Sequence, residues 1–269
     1  MRDMTFIDTH THCTDEAFPG EEQDLFVERA VAAGVGKMLL ADIGIAERDD
    51  MYAAVGRHPG VLYPMLGVHP ESVDKDWKKE FDALEAWKGK GAVAIGEIGL
   101  DYHYGKEFCE EQKEVLRLQF ELAAAWDLPV NIHLRDATDD FFKVLDECRH
   151  LHLRGNLHAF SGSIETFRRI RRYGDWSVGI GGVITFKKAS LPETVSQIPL
   201  ECILLETDAP YMAPTPLRGT RNESANIPLI AAKVAEAKGI DIETVAAVTT
   251  ENAKKLFAIG PPATNLPSS

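Results

Sequence analysis

Two histidines, His10 and His12, close a short apolar run in FIDTHTH, residues 6–12. Side chains alternate along a strand, so residues i and i+2 face the same way and both imidazoles can aim at one point. That arrangement suits a metal ion; on this motif alone, two polar residues closing a strand are the other reading. Residues with the same chemistry end other apolar runs: His69 in LYPMLGVH (62–69), Glu97 in AVAIGE (92–97), His133 in LPVNIH (128–133), His158 in GNLHAF (155–160) and Asp208 in ECILLETD (201–208). With His69 set aside, four histidines and two carboxylates remain. One catalytic zinc takes three protein ligands and a water. Six ligands suit two cations, provided one carboxylate bridges. Glu97, held between Gly96 and Ile98-Gly99, is the expected bridge. Two such cations hold a hydroxide between them and clamp the attacking and leaving oxygens of a displacement, which is hydrolytic chemistry.

These residues need elements that bring them together. Eight strand-like runs recur at a near-constant interval: the six above together with KMLLAD (37–42) and WSVGIGG (176–182). Helix-period segments lie between most of them. EEQDLFVERAVAAG (21–34) sets Leu25, Val31 and Ala32 on one side, with Gly34 as a stop. DWKKEFDALEAWKGKG (76–91) spaces Trp77, Phe81, Leu84 and Trp87 as a helical core stripe. Segments 110–127 and 137–150 follow, and Pro192 opens a short helix within 187–200. Strands alternating with helices imply a parallel sheet, and eight units in one chain favour an α/β fold of the (β/α)8 TIM type. An open doubly wound sheet more often carries a glycine-rich phosphate loop after its first strand, where this chain has THCTDEAF. In a closed barrel the C-terminal strand ends converge on one mouth, so the six ligands meet there. The expected organisation is a single barrel domain over 1–259 and a frayed tail over 260–269, rich in Pro, Ser and Thr.

Composition narrows the setting. The chain has 269 residues, 45% of them hydrophobic, and a formal net charge of −13. Long nucleic acid is usually gripped by a broad basic surface; here FRRIRRY (167–173) is the sole dense basic run, so processive duplex binding is not expected. No stretch approaches a membrane span and the N-terminus lacks the apolar core of a signal peptide. Four scattered cysteines, Cys13, Cys109, Cys148 and Cys202, read as reduced thiols in a cytoplasmic protein. Cys13, beside the histidine pair, reads as a small core residue before it reads as a ligand.

The stretches IDTHTH (7–12), GVHPE (67–71), GEIGLDYHY (96–104), NIHLRDA (131–137), HAFSGS (158–163), GIGGVITFK (179–187), LLETDAPYMAP (204–214) and RGTRNES (218–224) together resemble the TatD family of metal-dependent deoxyribonucleases, within the amidohydrolase superfamily. The resemblance runs over about the whole chain. It implies a TIM-type barrel with two divalent metal ions. His10, His12 and Asp208 hold one, His133 and His158 the other, and Glu97 lies between. It also implies phosphodiester hydrolysis of DNA, as a deoxyribonuclease or 3′→5′ exonuclease on single strands or DNA ends. Two departures stand out: Ala159 where cysteine is frequent, and Ser224 where proline is frequent. Ser224 is expected to leave the loop after strand eight less rigid.

Roles follow from position. Asp208 can take a proton from the attacking water and pass it to the leaving group. Asp8 either hydrogen-bonds a ligand histidine or simply ends a strand. His69 faces the same mouth and suits the scissile phosphate or the leaving oxygen, and His103 is a weaker candidate of that kind. Arg135, two residues past His133, suits a phosphate, which a guanidinium grips through two oxygens; a salt bridge to Asp101 or Asp136 is its structural alternative. Glu206 either supports the ligands or buries its charge against an arginine. Arg221, with Arg218, Asn222 and Glu223, is a further candidate for substrate binding. Four imidazoles favour zinc, iron(II) or manganese over magnesium, which prefers oxygen, although the family is commonly described as magnesium-dependent. The same centre can attack a carbonyl, so an ester or acyl hydrolase, such as an aminoacyl-tRNA deacylase, is the competing reading. No membrane and no obligate protein partner are expected.

Overall fold

The computed structural model describes residues 5–260, so of the expected tail only Gly260 falls within it. Eight runs rich in Val, Ile and Leu form strands: β1 (Phe6–Thr11), β2 (Val35–Leu40), β3 (Leu62–Leu66), β4 (Ala94–Asp101), β5 (Val130–Arg135), β6 (Gly155–Leu157), β7 (Trp176–Ile180) and β8 (Ile203–Leu205). All neighbours pair in parallel, in sequence order. The helices are α1 (Glu22–Ala32), α2 (Ile45–Arg57), α3 (Trp77–Asp82), α4 (Cys109–Trp126), α5 (Thr138–Glu147), α6 (Ile164–Ile170), α7 (Leu191–Gln197), α8 (Ile227–Lys238) and α9 (Ile242–Phe257). This is the (β/α)8 barrel. Among the described residues no helix is long and apolar enough to cross a membrane.

The strands' alternation divides the apolar core in two. Phe6, Met38, Leu40, Leu66, Ile203 and Leu205 join the large cluster, whereas Ile7, Leu39, Met65 and Leu204 form a smaller one with Leu256, Phe257 and Ile259 at the end of α9. Successive side chains pointing to opposite faces produce this split. Cys13 is a core residue, buried, with its thiol pushed up to about 12 by that burial.

The seam between β1 and β8 is closed beyond the end of β8. The Asp208 N–H donates to the His10 carbonyl at 2.9 Å and the His12 N–H to the Ala209 carbonyl at 2.8 Å. Asp8 adds a side-chain clasp: its carboxylate accepts the Thr207 N–H (3.0 Å), the Thr207 hydroxyl (2.5 Å) and the Ser224 hydroxyl (2.6 Å). Asp8 also accepts the His10 N–H at 3.2 Å, so it holds a ligand histidine through the backbone and not through the imidazole. Ser224 is fully buried and pins the loop after β8 to the first strand, the opposite of the looseness expected for it.

Other expectations shift with packing. In α1 the buried face is Phe26, Val27 and Ala30, while Leu25 and Val31 are exposed. Phe26 packs edge-on against Phe18, with ring centroids 4.7 Å apart, and that contact sets the face. The 76–91 segment forms α3 followed by a 3-10 turn, with Trp77 and Leu84 buried. β4 runs four residues past Glu97, so Glu97 stands within a strand, and Asp208 lies three residues beyond β8.

Candidate metal centre

Register irregularities fall on the segments that carry the expected ligands. The pairing of β1 with β2 shifts between Asp8 and Thr11, and that of β4 with β5 between Ile95 and Ile98. Such shifts re-aim side chains near active sites. Gly99 has φ of +151°, and a Cβ there would collide with the His133 carbonyl; glycine lets β4 press against β5 beside the ligand.

All six expected ligands meet in one cluster. Glu97 stands at its centre and divides its two oxygens between two groups of imidazoles. Oε2 lies 3.1 Å from His10 Nε2 and 3.6 Å from His12 Nε2; Oε1 lies 2.7 Å from both His133 Nδ1 and His158 Nε2. Asp208 Oδ1 closes the first group, 3.7 Å from His10 Nε2 and 3.4 Å from His12 Nε2. His10, His12 and Asp208, then His10, Glu97 and His158, and also His69, Glu97 and His133 each bring one donor atom within 4.8 Å of one another.

The rings are oriented from behind, which selects the nitrogen each presents. His10 Nδ1 meets Asn131 Oδ1 at 2.8 Å, and Asn131 donates in turn to Asn156 Oδ1 at 3.1 Å. His133 Nε2 meets Asp101 Oδ2 at 2.7 Å. His158 Nδ1 lies 3.6 Å from Glu206 Oε1, and that oxygen also accepts the Ala159 N–H. Glu206 is fully buried, and a Cβ at Gly179 would collide with its carboxylate. Glu206 thus stands behind a ligand ring and, among the described residues, in no ion pair with an arginine. Ligand imidazoles are typically held in this way by a carboxylate or carbonyl on the far nitrogen. Asp101, Asn131 and Asn156 were not singled out as support by sequence reasoning. Strand phase alone carried a signal, since Asn131 and His133 are two apart, as are Asn156 and His158.

His69 joins the cluster directly, its Nε2 3.3 Å from Glu97 Oε1. Its Nδ1 accepts the Glu71 N–H at 3.2 Å, so in the neutral ring the proton sits on Nε2 and faces the cluster. His103 is half-exposed and meets Asp136 Oδ2 at 3.0 Å. Arg135 lies over the Tyr104 ring, 5.2 Å from its centroid. Arg221 is engaged elsewhere: it donates to the Ala17 carbonyl, Glu22 and Glu223, over the face of Phe18. Its guanidinium therefore braces the loop after β8 against α1.

The electrostatics match a cation site. Burial pushes the Glu97 carboxyl up, yet His158, His69 and His10 outweigh it and hold it well below the usual range. Burial opposes charge on His133, but Asp101 and Glu97 raise it to about 9; His158 is raised well above its ordinary value by Glu97 and Glu206 against the same burial. Burial, with His158 beside it, lowers His10. Two pairs of ring nitrogens approach within 3.2 Å (His10 and His12) and 3.3 Å (His133 and His158) around one carboxylate. Nitrogen lone pairs brought this close around carboxylates fit divalent cations, and the imidazole-rich set suits zinc, manganese or iron(II) better than magnesium.

The sequence profile of the family described as TatD related DNase matches residues 7–258. An uncharacterized metal-dependent hydrolase of Bacillus subtilis, YabD, is 38% identical over 263 residues, covering 94% of this chain and 98% of that protein. A protein of Salmonella typhimurium named 3′-5′ ssDNA/RNA exonuclease TatD is 33% identical, covering 94% and 98%. The crystal structure of YjjV, a TatD homologue of Escherichia coli K12, superposes with a TM-score of 0.86 at 30% identity, covering 96% of this chain and all of that one.

Proposed function

The chain belongs to the TatD-related DNase family, and from that membership we propose that it is a metal-dependent hydrolase that cleaves phosphodiester bonds of DNA, as a 3′→5′ exonuclease on single strands or DNA ends. The observation that carries the reading is Glu97, whose two oxygens serve two separate pairs of imidazoles. His10, His12 and Asp208 would hold one divalent cation, His133 and His158 a second, with Glu97 shared. When bound, such ions lower the pKa of water and neutralise the charge that develops on phosphoryl oxygens.

The chain's own groups handle the protons. Asp208, held below the usual carboxylate range by His12, against burial, is ionised and takes the proton of the attacking water. The water oxygen bonds to phosphorus and the P–O3′ bond breaks. Asp208 then passes that proton to the departing oxygen, to which His69, its Nδ1 accepting the Glu71 N–H, offers its Nε2–H as a hydrogen-bond donor. Arg135 and His103, at the ends of β5 and β4, orient the phosphate. A cytoplasmic setting agrees with four cysteines that form no disulfide.

The test is elemental mass spectrometry of protein purified without added metal or chelator, beside cleavage of 3′- and 5′-labelled single strands. Two transition-metal equivalents per chain are expected. Glu97→Ala is expected to lose them and to reduce cleavage to background. Two metals with no DNA cleavage would sink the nuclease reading and turn the search to esters and aminoacyl-tRNA.

A further inference from the structure

Two aromatic rings stand in solvent on opposite sides of the cluster. Tyr104 follows β4 and is 74% exposed; Tyr211 follows β8 and is 54% exposed. Three strands lie between β4 and β8 on either side of the closed eight-stranded order, so the two loops face each other across the mouth. Tyr211 adjoins an expected ligand directly, and Tyr104 is linked to one through two intervening residues. Tyr211 sits edge-on to His12, with centroids 6.2 Å apart, and its hydroxyl donates to Asp15 at 2.8 Å. Tyr104 meets the His103 ring, 5.0 Å away, and the His103 N–H donates to Asp101, the carboxylate behind His133.

Neither ring is placed by burial, since a ring this exposed removes little apolar area from water. Tyr104 is placed by charge: the Arg135 guanidinium lies over the ring, 5.2 Å from its centroid, and most of the ring stays in solvent. An aromatic ring backed by a cation is a stacking surface for a second flat π-system, and every nucleobase has such a face. The charge of the chain makes that surface matter. With a net charge of −13, counterion release cannot supply most of the affinity for a polyanion. Stacking adds affinity that does not depend on the surface charge.

We propose that the exposed ring of Tyr104, over Arg135, is a base-stacking subsite that holds the nucleobase next to the scissile phosphate, with Tyr211 the corresponding surface across the mouth. This rests on the nuclease reading above, since it takes the phosphate at the cluster as its origin. In a duplex interior the stacked neighbours cover both faces of every base, so the subsite admits an unpaired end and rejects a duplex interior.

The test uses the metal-loaded protein and short phosphorothioate single strands carrying 2-aminopurine, whose fluorescence is quenched on stacking, at each position in turn. Quenching is expected at one position near the 3′ end, lost in Tyr104→Ala and kept in Tyr104→Phe. In Tyr104→Ala, binding of strands with a base at that position weakens on the order of tenfold, while a strand abasic there is unaffected. Metal content and melting temperature stay at wild-type values because the ring is exposed. Unchanged quenching in Tyr104→Ala, or equal weakening of abasic and base-bearing strands, overturns the subsite. Cleavage without Tyr104-dependent quenching removes the subsite and leaves the nuclease. Tyr104-dependent quenching without cleavage of ordinary DNA removes the nuclease and leaves the subsite.

Discussion

His10 and His133 each present one ring nitrogen to Glu97, but different groups stand behind them. His10 leans on the neutral amide of Asn131, itself tied to Asn156. His133 leans on the carboxylate of Asp101, and its neighbour His158 has Glu206 behind it. The difference is made up in front. The first half of the centre has its own carboxylate, Asp208, beside His10 and His12; the second has imidazoles with only the shared Glu97. A cation can receive its compensating charge directly from a ligand oxygen or through an imidazole that a carboxylate makes more basic. In the proposed two-cation centre the two halves would use one route each.

Exchanging the backing groups tests this contrast most strongly. Asp101→Asn keeps the shape and removes the charge behind His133. The second cation is expected to bind about 10- to 100-fold more weakly, with the first unchanged, so that a mild chelator leaves one equivalent where the wild type keeps two. Asn131→Ala should loosen the first cation instead. Equal loss of both metals in either variant would show that the halves are not separately supported.

A second, smaller contrast is in pH. In the metal-free protein His133 is raised from 6.5 to about 9, after burial is outweighed by Asp101 and Glu97. A raised histidine stabilises the fold fully below its unfolded value and loses that contribution as pH climbs through the folded one. The metal must displace the same proton. The rise in melting temperature on adding manganese should therefore widen from about pH 6.5 to 9, the two values just given. In Asp101→Asn the widening should flatten; a wild-type rise that is constant across this window would refute the assignment.

The smallest effect belongs to the clasp beneath the first half. Ser224→Ala removes one of the hydroxyls on buried Asp8 and should cost about 1–3 kcal/mol of stability, read by urea unfolding, with metal content kept. Asp208 is tied to the same seam through its N–H on the His10 carbonyl. A variant as stable as wild type would mean that the loop after β8 is held without Ser224.

Much of this centre was legible in the chain because strand periodicity is local. His10 and His12 share a face at a spacing of two, and eight strand–helix units predict where such faces converge. The supporting contacts were not legible. His10 meets Asn131 across 121 residues, and Asp8 meets Ser224 across 216. Arg221 shows the same limit: its type and loop suggest a phosphate, and its contact with Glu22, 199 residues away, is visible only in the fold. Leu25 and Val31 had helical spacing, but Phe26 found Phe18 and turned α1.

The sequence by itself determined which side chains have metal-binding chemistry and the strand phase that points them to one mouth, because residue type and a period of two are properties of the local chain. Tertiary structure alone decided which oxygen of Glu97 faces which imidazoles, which ring nitrogen each histidine presents and what backs it. Those choices depend on register shifts and barrel closure, which place atoms from distant strands within a few ångströms of one another.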